Sequence, residues 1–252
     1  MAIQSPRARY RQVADDLREA IRRGTYGPGA LLPSQPELAR KYGLNQTSIS
    51  RAIGLLEADG LVHTEHGRGS YVQDIPTVKR TRRIPSRGRG SGSSFAEEMR
   101  KLGLEPRTDL VQAEAVYPPA AIARRLDMRN DEQALIRKRH MFADERPVQL
   151  AASYIPLSIA GSVDLAFPDT GPTGIYERLA ERGYRVARFA EEIESRRPSE
   201  EEAEFLRISP AQHVLEVTRS TYDRVGRKLE VTVNVFPSQL WRLTYEWSAD
   251  DE

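Results

Sequence analysis

Hydrogen-bonding side chains are concentrated just after Gly43, within seven consecutive residues. The polar members of this run are Asn45, Gln46, Thr47, Ser48, Ser50 and Arg51. Ile49 and Ile53 fall on the opposite side at a helical spacing. Gln can form two hydrogen bonds with adenine, Ser and Thr suit phosphates or bases, and Arg can bind a phosphate or guanine. With Asn45 as N-cap, the free N–H groups of the first turn also favour a phosphate. The run indicates a helix suited to a DNA groove, and a merely solvated polar face is the alternative.

A second cationic element follows in His66-Gly67-Arg68-Gly69. The flanking segments, 61–65 and 70–72, have the composition of two short strands around a glycine-bearing turn. Glycine on both sides of Arg68 lets the backbone approach a groove closely, and an arginine at such a tip could enter a narrow minor groove. An ordinary tight turn with an exposed arginine is the alternative.

The elements that must position these side chains follow from helical periodicity. Apolar residues recur at helical spacing over 10–21, 34–43 and 45–58, with glycine at or just after each end. Ser34 and Glu37 have the spacing of a capping box at the start of the second helix. Three helices followed by a hairpin predict a winged helix-turn-helix, in which the second helix of the motif enters the major groove.

Charge is distributed unevenly along the chain, whose 252 residues are enough for two ordinary domains. Residues 1–93 contain 16 Lys and Arg against 8 Asp and Glu, a balance of +8, and the remaining 159 residues contain 22 against 28, a balance of −6. A basic N-terminal third followed by an acidic remainder suggests that the N-terminal third alone has a polyanionic partner. A chance excess of exposed arginines would give the same count.

The remainder of the sequence predicts a linker and an antiparallel α+β domain. Residues 74–93 combine Lys and Arg with Pro and a Gly/Ser run, without apolar periodicity. Strands are predicted at 109–117, 134–142, 148–155, 188–196, 214–222 and 229–237. Helices are predicted at 119–126, 174–182 and 199–206, and hairpin turns at 143–147 and 223–228. The predicted domains are therefore 7–73, a basic linker at 74–93, and a ligand-sensing and dimerisation domain at 94–248.

Residues 10–73 resemble the GntR family of bacterial regulators. The resemblance is carried by Tyr10-Arg11-Gln12-Val13-Ala14, Leu32-Pro33-Ser34, Glu37-Leu38-Ala39, Asp59-Gly60-Leu61-Val62 and Gly67-Arg68-Gly69-Ser70-Tyr71-Val72. It implies a transcription regulator, most simply a repressor, that binds a double-stranded, pseudo-palindromic operator as a homodimer. Three positions depart from the family: Gln46 and Ser50 stand where arginine is usual or frequent, and Pro36 stands where the second helix often has a basic residue. The binding role is retained, whereas the family's usual base preference is placed in doubt.

The C-terminal part resembles the effector (UTRA) domain of the HutC subfamily, whose fold is similar to chorismate lyase. The marks include Phe95-Ala96-Glu97-Glu98-Met99, Leu135-Ile136-Arg137-Lys138-Arg139, Ser153-Tyr154-Ile155-Pro156 and Leu229-Glu230-Val231-Thr232. The resemblance implies a pocket for a small-molecule effector, and two alternating arginines point to an anionic one. The segment Val235-Phe236-Pro237-Ser238 lacks the tyrosine and arginine that sugar-phosphate-sensing relatives have there. This absence argues against assigning an amino-sugar phosphate as the ligand of this chain.

These arguments give two sets of candidate residues. The DNA-binding set is Arg9, Ser34, Asn45, Gln46, Thr47, Ser48, Ser50, Arg51, His66, Gly67, Arg68 and Gly69. The effector-binding set is Ser93, Ser94, Phe95, Arg137, Arg139, Tyr154, Glu230 and Phe236. For Arg137 and Arg139 the alternative is a solvent-facing strand with acidic partners, and for Ser93 and Ser94 it is plain linker composition.

Other classes of function find little support in the sequence. There is no cysteine, and the four histidines do not have the spacing of a zinc site. No nucleophile elbow, Walker loop or zincin motif occurs, so we expect no enzyme, no cofactor and no metal. The N-terminus lacks a signal-peptide pattern, and no apolar segment approaches the length needed to span a membrane. We therefore expect the protein to be cytoplasmic and associated with the nucleoid. The alternatives are a ligand-independent DNA-binding maintenance or transfer repressor and, less favoured, a lyase-like enzyme.

Overall fold

The computed structural model describes residues 9–65, 67–73, 78–83, 95–161 and 175–246, with the backbone alone for 78–83 and Glu246. The chain divides into two compact units. The first comprises Met1–Thr77 and Arg197–His213, and the second comprises Val78–Arg196 and Val214–Glu252. No described helix is both long and apolar enough to cross a membrane.

The first unit begins with three helices, α1 (Arg9–Arg22), α2 (Gln35–Tyr42) and α3 (Gln46–Ala58). Their inward faces form one apolar core that includes Leu17, Leu38 and Ile49. Capping residues mark the starts of α2 and α3. At the start of α2, Glu37 accepts hydrogen bonds from the N–H and Oγ of Ser34. At the start of α3, Asn45 Oδ1 accepts a hydrogen bond from the N–H of Ser48 at 2.9 Å. The predicted helix order is confirmed, and α3 starts where Asn45 ends the preceding turn.

A hairpin follows the three helices of this unit. Strand β1 (Val62–Glu65) pairs antiparallel with β2 (Gly69–Val72), and Val62 and Val72 add to the helical core. Residues 197–213 belong to the same unit and contain helix α8 (Glu200–Leu206). The buried side chain of Gln212 donates a hydrogen bond to the carbonyl of Glu57 in the last turn of α3.

The second unit is built on an antiparallel sheet of six strands in the order β4-β5-β6-β9-β8-β7. The strands are β4 (Pro106–Val116), β5 (Ala134–Ala143), β6 (Arg146–Pro156), β7 (Val186–Arg196), β8 (Val214–Asp223) and β9 (Lys228–Pro237). The helices are α4 (Phe95–Lys101), α5 (Ala120–Arg125), α6 (Leu157–Ala160) and α7 (Ile175–Glu181). The predicted α+β class is confirmed.

The two faces of this sheet differ in chemistry, because successive residues of a strand point to opposite sides. On one face, α5 covers an apolar cluster that includes Ile136, Tyr154 and Val231. We call the other face the arginine face, because it carries Arg137. Leu135 lies on the same face, in an apolar cluster that is packed by α6 and α7. This face combines an apolar end under two helices with a polar remainder.

Two features of the fold were not indicated by the sequence pattern. Six residues of the predicted linker form strand β3 (Val78–Arg83), which pairs in parallel with β10 (Trp241–Glu246) as a separate two-stranded sheet. Contacts also place 197–213 with the first unit rather than with the strands it connects. The ranges 7–73, 74–93 and 94–248 remain predictions as domain boundaries.

Candidate DNA-binding and effector sites

The N-terminal turns of α3 present a polar surface. The side chains of Gln46, Thr47, Ser50 and Arg51 are exposed, whereas Ile49 and Ile53 are buried in the core. Asn45 is committed to its capping bond with Ser48. The exposed groups are therefore the ones predicted from helical periodicity, and they lie on a helix whose buried side is fixed by packing.

The hairpin tip holds the second candidate cation. Arg68 is 73% exposed at its side chain, and its Nη1 lies 2.6 Å from Glu65 Oε2. Gly67 and Gly69 both have positive φ values, 76° and 121°. At Gly69 an added Cβ would lie 2.8 Å from Cδ1 of Leu31, an exposed side chain that can turn away, so it is the positive φ of the backbone that requires glycine there. Arg68 is thus exposed at the hairpin tip, beside the carboxylate of Glu65.

Other predicted DNA-binding residues are distributed around these two elements. Arg9 is the exposed first residue of α1. Ser34 is exposed, but its hydroxyl already donates to Glu37 at 2.7 Å. These hydrogen bonds from Ser34 hold the pKa of the Glu37 carboxyl below its ordinary value. The predicted contact at His66 lies outside the described residues.

Polar side chains cross the arginine face as one row. Strand pairing places Arg137 opposite Ser153, Ser153 opposite Thr232, Thr232 opposite Arg219, and Arg219 opposite Glu191. We call these five residues the polar row. Ser153 Oγ lies 3.1 Å from Thr232 Oγ1, and Arg219 Nε donates to Glu191 at 2.7 Å. The row therefore runs across five adjacent strands, from β5 to β7.

Charged and hydroxyl groups gather at the β5 end of the polar row. Arg139 donates from Nη2 to Ser153 Oγ at 2.9 Å, and its buried Nε makes no hydrogen bond within the described part of the chain. Glu230, 2% exposed, accepts a hydrogen bond from the hydroxyl of Tyr176 on α7 at 2.7 Å. Arg137 and Arg139 are thus two cations that share a largely buried polar region with one anion, Glu230, and electrostatic interactions are stronger there than in water.

The electrostatic cost of this arrangement is concentrated on Arg137. Its side chain is 4% exposed. Burial, reinforced by the charges of Arg139 and Arg178 and opposed by that of Glu230, lowers the pKa of Arg137 to about 10. The guanidinium is still charged at neutral pH, so the fold holds a desolvated cation beside a second one. An anion bound here would relieve that cost directly.

Burial and the neighbouring Glu230 carboxylate also raise the pKa of Tyr176 well above its ordinary value. Tyr176 consequently stays neutral and remains a hydrogen-bond donor to Glu230. Sequence reasoning had not assigned a role to Tyr176, Ser153 or Thr232. The available signal was polar residues at alternate positions of otherwise apolar strands, which marks one face of a strand.

The structure does not bring all predicted effector residues together. Tyr154 lies on the opposite face, in the cluster under α5, because it pairs in register with Ile136 rather than with Arg137. Phe236 is 0% exposed, with its ring centroid 4.6 Å from that of Trp241, so it is a packing residue. Phe95 is the half-buried first residue of α4. Ser93 and Ser94 lie outside the described residues.

Within the described ranges, no group of three or more His, Asp or Glu side chains could hold a metal ion. The chemistry that the arginine face offers is binding by hydrogen bonds and charge. The α3 surface and the Arg68 tip offer the same kind of binding, directed at phosphates and base edges.

Comparison with known proteins bears on both regions. The family model for gntR bacterial regulatory proteins matches residues 9–72, and the UTRA domain model matches residues 101–241. An HTH-type transcriptional regulator of Streptomyces coelicolor is 28% identical over all of this chain and 96% of its own length. The HTH-type transcriptional repressor NagR of Bacillus subtilis is 25% identical, with 92% of each protein covered.

Solved structures show the same fold. A crystal structure of a GntR-family transcriptional regulator superimposes with a TM-score of 0.63 at 29% identity, covering 97% of this chain and 99% of that one. PhnF from Mycobacterium smegmatis gives a TM-score of 0.60 at 19% identity, covering 96% of this chain and all of PhnF. The named relatives are transcription regulators. The chain therefore belongs to the GntR family, in the HutC subfamily with a UTRA domain, and is a DNA-binding transcription regulator.

Proposed function

We propose that this regulator is a repressor that binds a pseudo-palindromic operator as a homodimer and leaves it when an anionic small molecule occupies the arginine face. We further propose that it has no catalytic role and acts on DNA in the cytoplasm. The observation that carries the proposal is the presence, in one chain, of an exposed polar α3 surface and of a sheet face that holds the buried guanidinium of Arg137 near Arg139. NagR, a relative named as a repressor, supports repression as the mode of action.

On the DNA side, contacts are proposed from two elements. Gln46, Thr47, Ser50 and Arg51 would face the major groove, and Arg68 the adjacent backbone or minor groove. Asn45, Ser48 and Ser34 support these contacts through their capping positions. Gln46 suits adenine where a family arginine would suit guanine, so we expect an operator with an A·T pair at that position of each half-site.

On the effector side, Arg137 and Arg139 would bind the anionic group of the ligand. Glu230 and Tyr176 would then contact hydroxyl or amino groups of the same molecule, since a carboxylate accepts and a phenol donates. Ser93, Ser94 and Phe95 remain proposed contacts from the chain that precedes α4. A ligand that binds one arrangement of the dimer better than the other shifts the population between them, and operator occupancy follows.

The DNA contact is tested by selecting bound duplexes from a random pool and then measuring affinity for the selected operator. Arg51→Ala should weaken specific binding about tenfold or more, because one guanine or phosphate contact contributes about 1–3 kcal/mol. Arg22→Ala removes one exposed arginine from the far end of α1 and is the matched control. Equal affinity of the Arg51→Ala variant and the wild type would contradict the proposed placement of α3.

The effector contact is tested by releasing the selected operator with a panel of phosphorylated and carboxylated metabolites. A ligand that releases wild-type protein should fail to release Arg139→Gln, whose operator affinity without ligand stays unchanged. Lys138→Gln, on the neighbouring position and the other face, should respond as wild type does. If Arg139→Gln responds normally, the arginine face is not where the ligand binds.

A further inference from the structure

The linker that enters the second unit is held by the C-terminal strand. Backbone pairing joins β3 to β10 over six residues, from Val78 opposite Trp241 to Arg83 opposite Glu246. This pair is a two-stranded sheet of its own, and such a pair is marginally stable in isolation. Its persistence therefore depends on what fixes β10 to the six-stranded sheet.

Two aromatic side chains fix β10, one near each end. The indole Nε1 of Trp241 donates to the carbonyl of Val148 at 2.8 Å. The hydroxyl of Tyr245 donates to Glu191 Oε2 at 2.8 Å. Trp241 and Tyr245 are four residues apart in a strand, so they point to the same side. β10 is thus anchored by one hydrogen bond to backbone and one to a carboxylate.

The carboxylate that holds Tyr245 is the last member of the polar row. Glu191 pairs with Arg219 in an ion pair whose side chains are 11% and 13% exposed. Arg219 lies opposite Thr232, and Thr232 contacts Ser153, which accepts from Arg139. Cross-strand neighbours on one face have Cβ atoms about 5 Å apart, so a change at one member is felt by the next.

We propose that the polar row and Tyr245 form a positioning device, which transmits the occupancy of the arginine face to the linker strand β3. The two-state element is the β3–β10 pair, anchored or loosened, and Tyr245 is the positioning residue whose hydrogen bond to Glu191 biases it. Energetic coupling of this kind needs such a bistable element at the end of a contiguous network. Transmission along the polar row rests on the proposed function, because that function supplies the anion that occupies the arginine face. The anchoring of β3 through Tyr245 does not depend on the proposed function.

The test measures amide hydrogen exchange of residues 78–83 and 241–246 in the full chain without ligand. Tyr245→Phe keeps the ring and removes only the hydroxyl, so exchange at 78–83 should accelerate about tenfold or more, as expected for loss of a hydrogen bond to a charged group. Ser153→Ala breaks the row on β6, away from β10, and should accelerate the same amides about threefold or more. Tyr222→Phe makes the same change on the opposite face and should have no effect.

The outcomes separate this inference from the proposed function. If Tyr245→Phe exchanges as wild type does at 78–83, Tyr245 is not the anchor and the inference is overturned. If Tyr245→Phe accelerates exchange but Ser153→Ala does not, the anchor exists without the route, and transmission along the row is refuted. Inorganic phosphate, added to wild type in a thermal-shift assay, tests the arginine face independently, because absence of stabilisation there counts against the effector site and leaves the exchange results standing.

Discussion

Replacing Arg137 by Met should remove the response to an anionic effector and, at the same time, stabilise the ligand-free protein. The guanidinium is 4% exposed and its pKa falls from 12.5 to about 10, chiefly because it is buried. At about 1.4 kcal/mol per pKa unit, that difference means that the charged form costs about 3 kcal/mol more in the fold than in water. Met fills a similar volume without a charge and adapts to irregular space.

The net gain is smaller than this figure for two reasons. Arg137 has polar interactions of its own that the variant loses, and Glu230 loses a neighbouring cation while keeping the hydrogen bond from Tyr176. We therefore expect stabilisation of about 0.5–2 kcal/mol, since replacement of buried charges by apolar groups is often neutral or favourable. At about 2–4 °C per kcal/mol for a chain of this size, that corresponds to a rise in Tm of roughly 1–8 °C.

The assay is thermal denaturation of Arg137→Met, wild type and Lys138→Met, in buffer without phosphate and then with the releasing metabolite. Lys138 loses the same charge from an exposed position on the other face of β5, so its Tm should stay within about 1 °C of wild type. Ligand should stabilise wild type and Lys138→Met but not Arg137→Met. A fall of several degrees for ligand-free Arg137→Met would show that the guanidinium supports the fold, and the argument from desolvation would be refuted.

Three further changes test the first unit. Glu65→Gln removes the carboxylate 2.6 Å from Arg68, so affinity for the selected operator should rise up to about fivefold at low salt, in a fluorescence-anisotropy titration, and the gain should shrink as salt is added. Gly69→Ala should destabilise the unit by about 1–3 kcal/mol in a denaturation experiment, because the backbone at this position has a φ of 121°, which a residue with a Cβ rarely adopts. Gly54→Ala should stabilise the unit by about 0.5–1 kcal/mol, because alanine has a higher helix propensity than glycine and nothing lies within 4 Å of the new methyl group. A lower Tm for this variant would contradict the assignment of α3 as a helix.

Local signals in the sequence predicted the first unit closely. Asn45 was expected as an N-cap, and its Oδ1 accepts from Ser48. Ile49 and Ile53 were expected inward, and both are buried in the helical core. These features depend on neighbours within a few residues, so periodicity and capping chemistry suffice to find them.

The β3–β10 pair could not be found in that way. Val78–Arg83 lies in a basic, Pro-containing stretch without apolar alternation, and its partner begins at Trp241, more than 150 residues later. Pairing at such separation depends on tertiary anchors, here Trp241 and Tyr245, rather than on local propensity. The same holds for 197–213, whose association with the first unit depends on contacts such as Gln212 with Glu57.

The composition of the arginine face depends on one inserted residue. The hairpin of β5 and β6 starts with Ala143 opposite Arg146, and an unbroken ladder would then place Tyr154 opposite Leu135, on the same side as Arg137. The register shifts by one between Met141 and Phe142, which puts Ser153 opposite Arg137 and turns Tyr154 to the other face. A bulge leaves no periodic signal in the sequence, so periodicity alone could not show that Tyr154 and Arg137 lie on opposite faces, or that Ser153 lies opposite Arg137. Ser153 lies opposite Thr232 on β9 in a pairing without a register shift, so the shift between β5 and β6 is what brings Arg137 and Arg139 to the same face as the Ser153–Thr232 hydrogen bond.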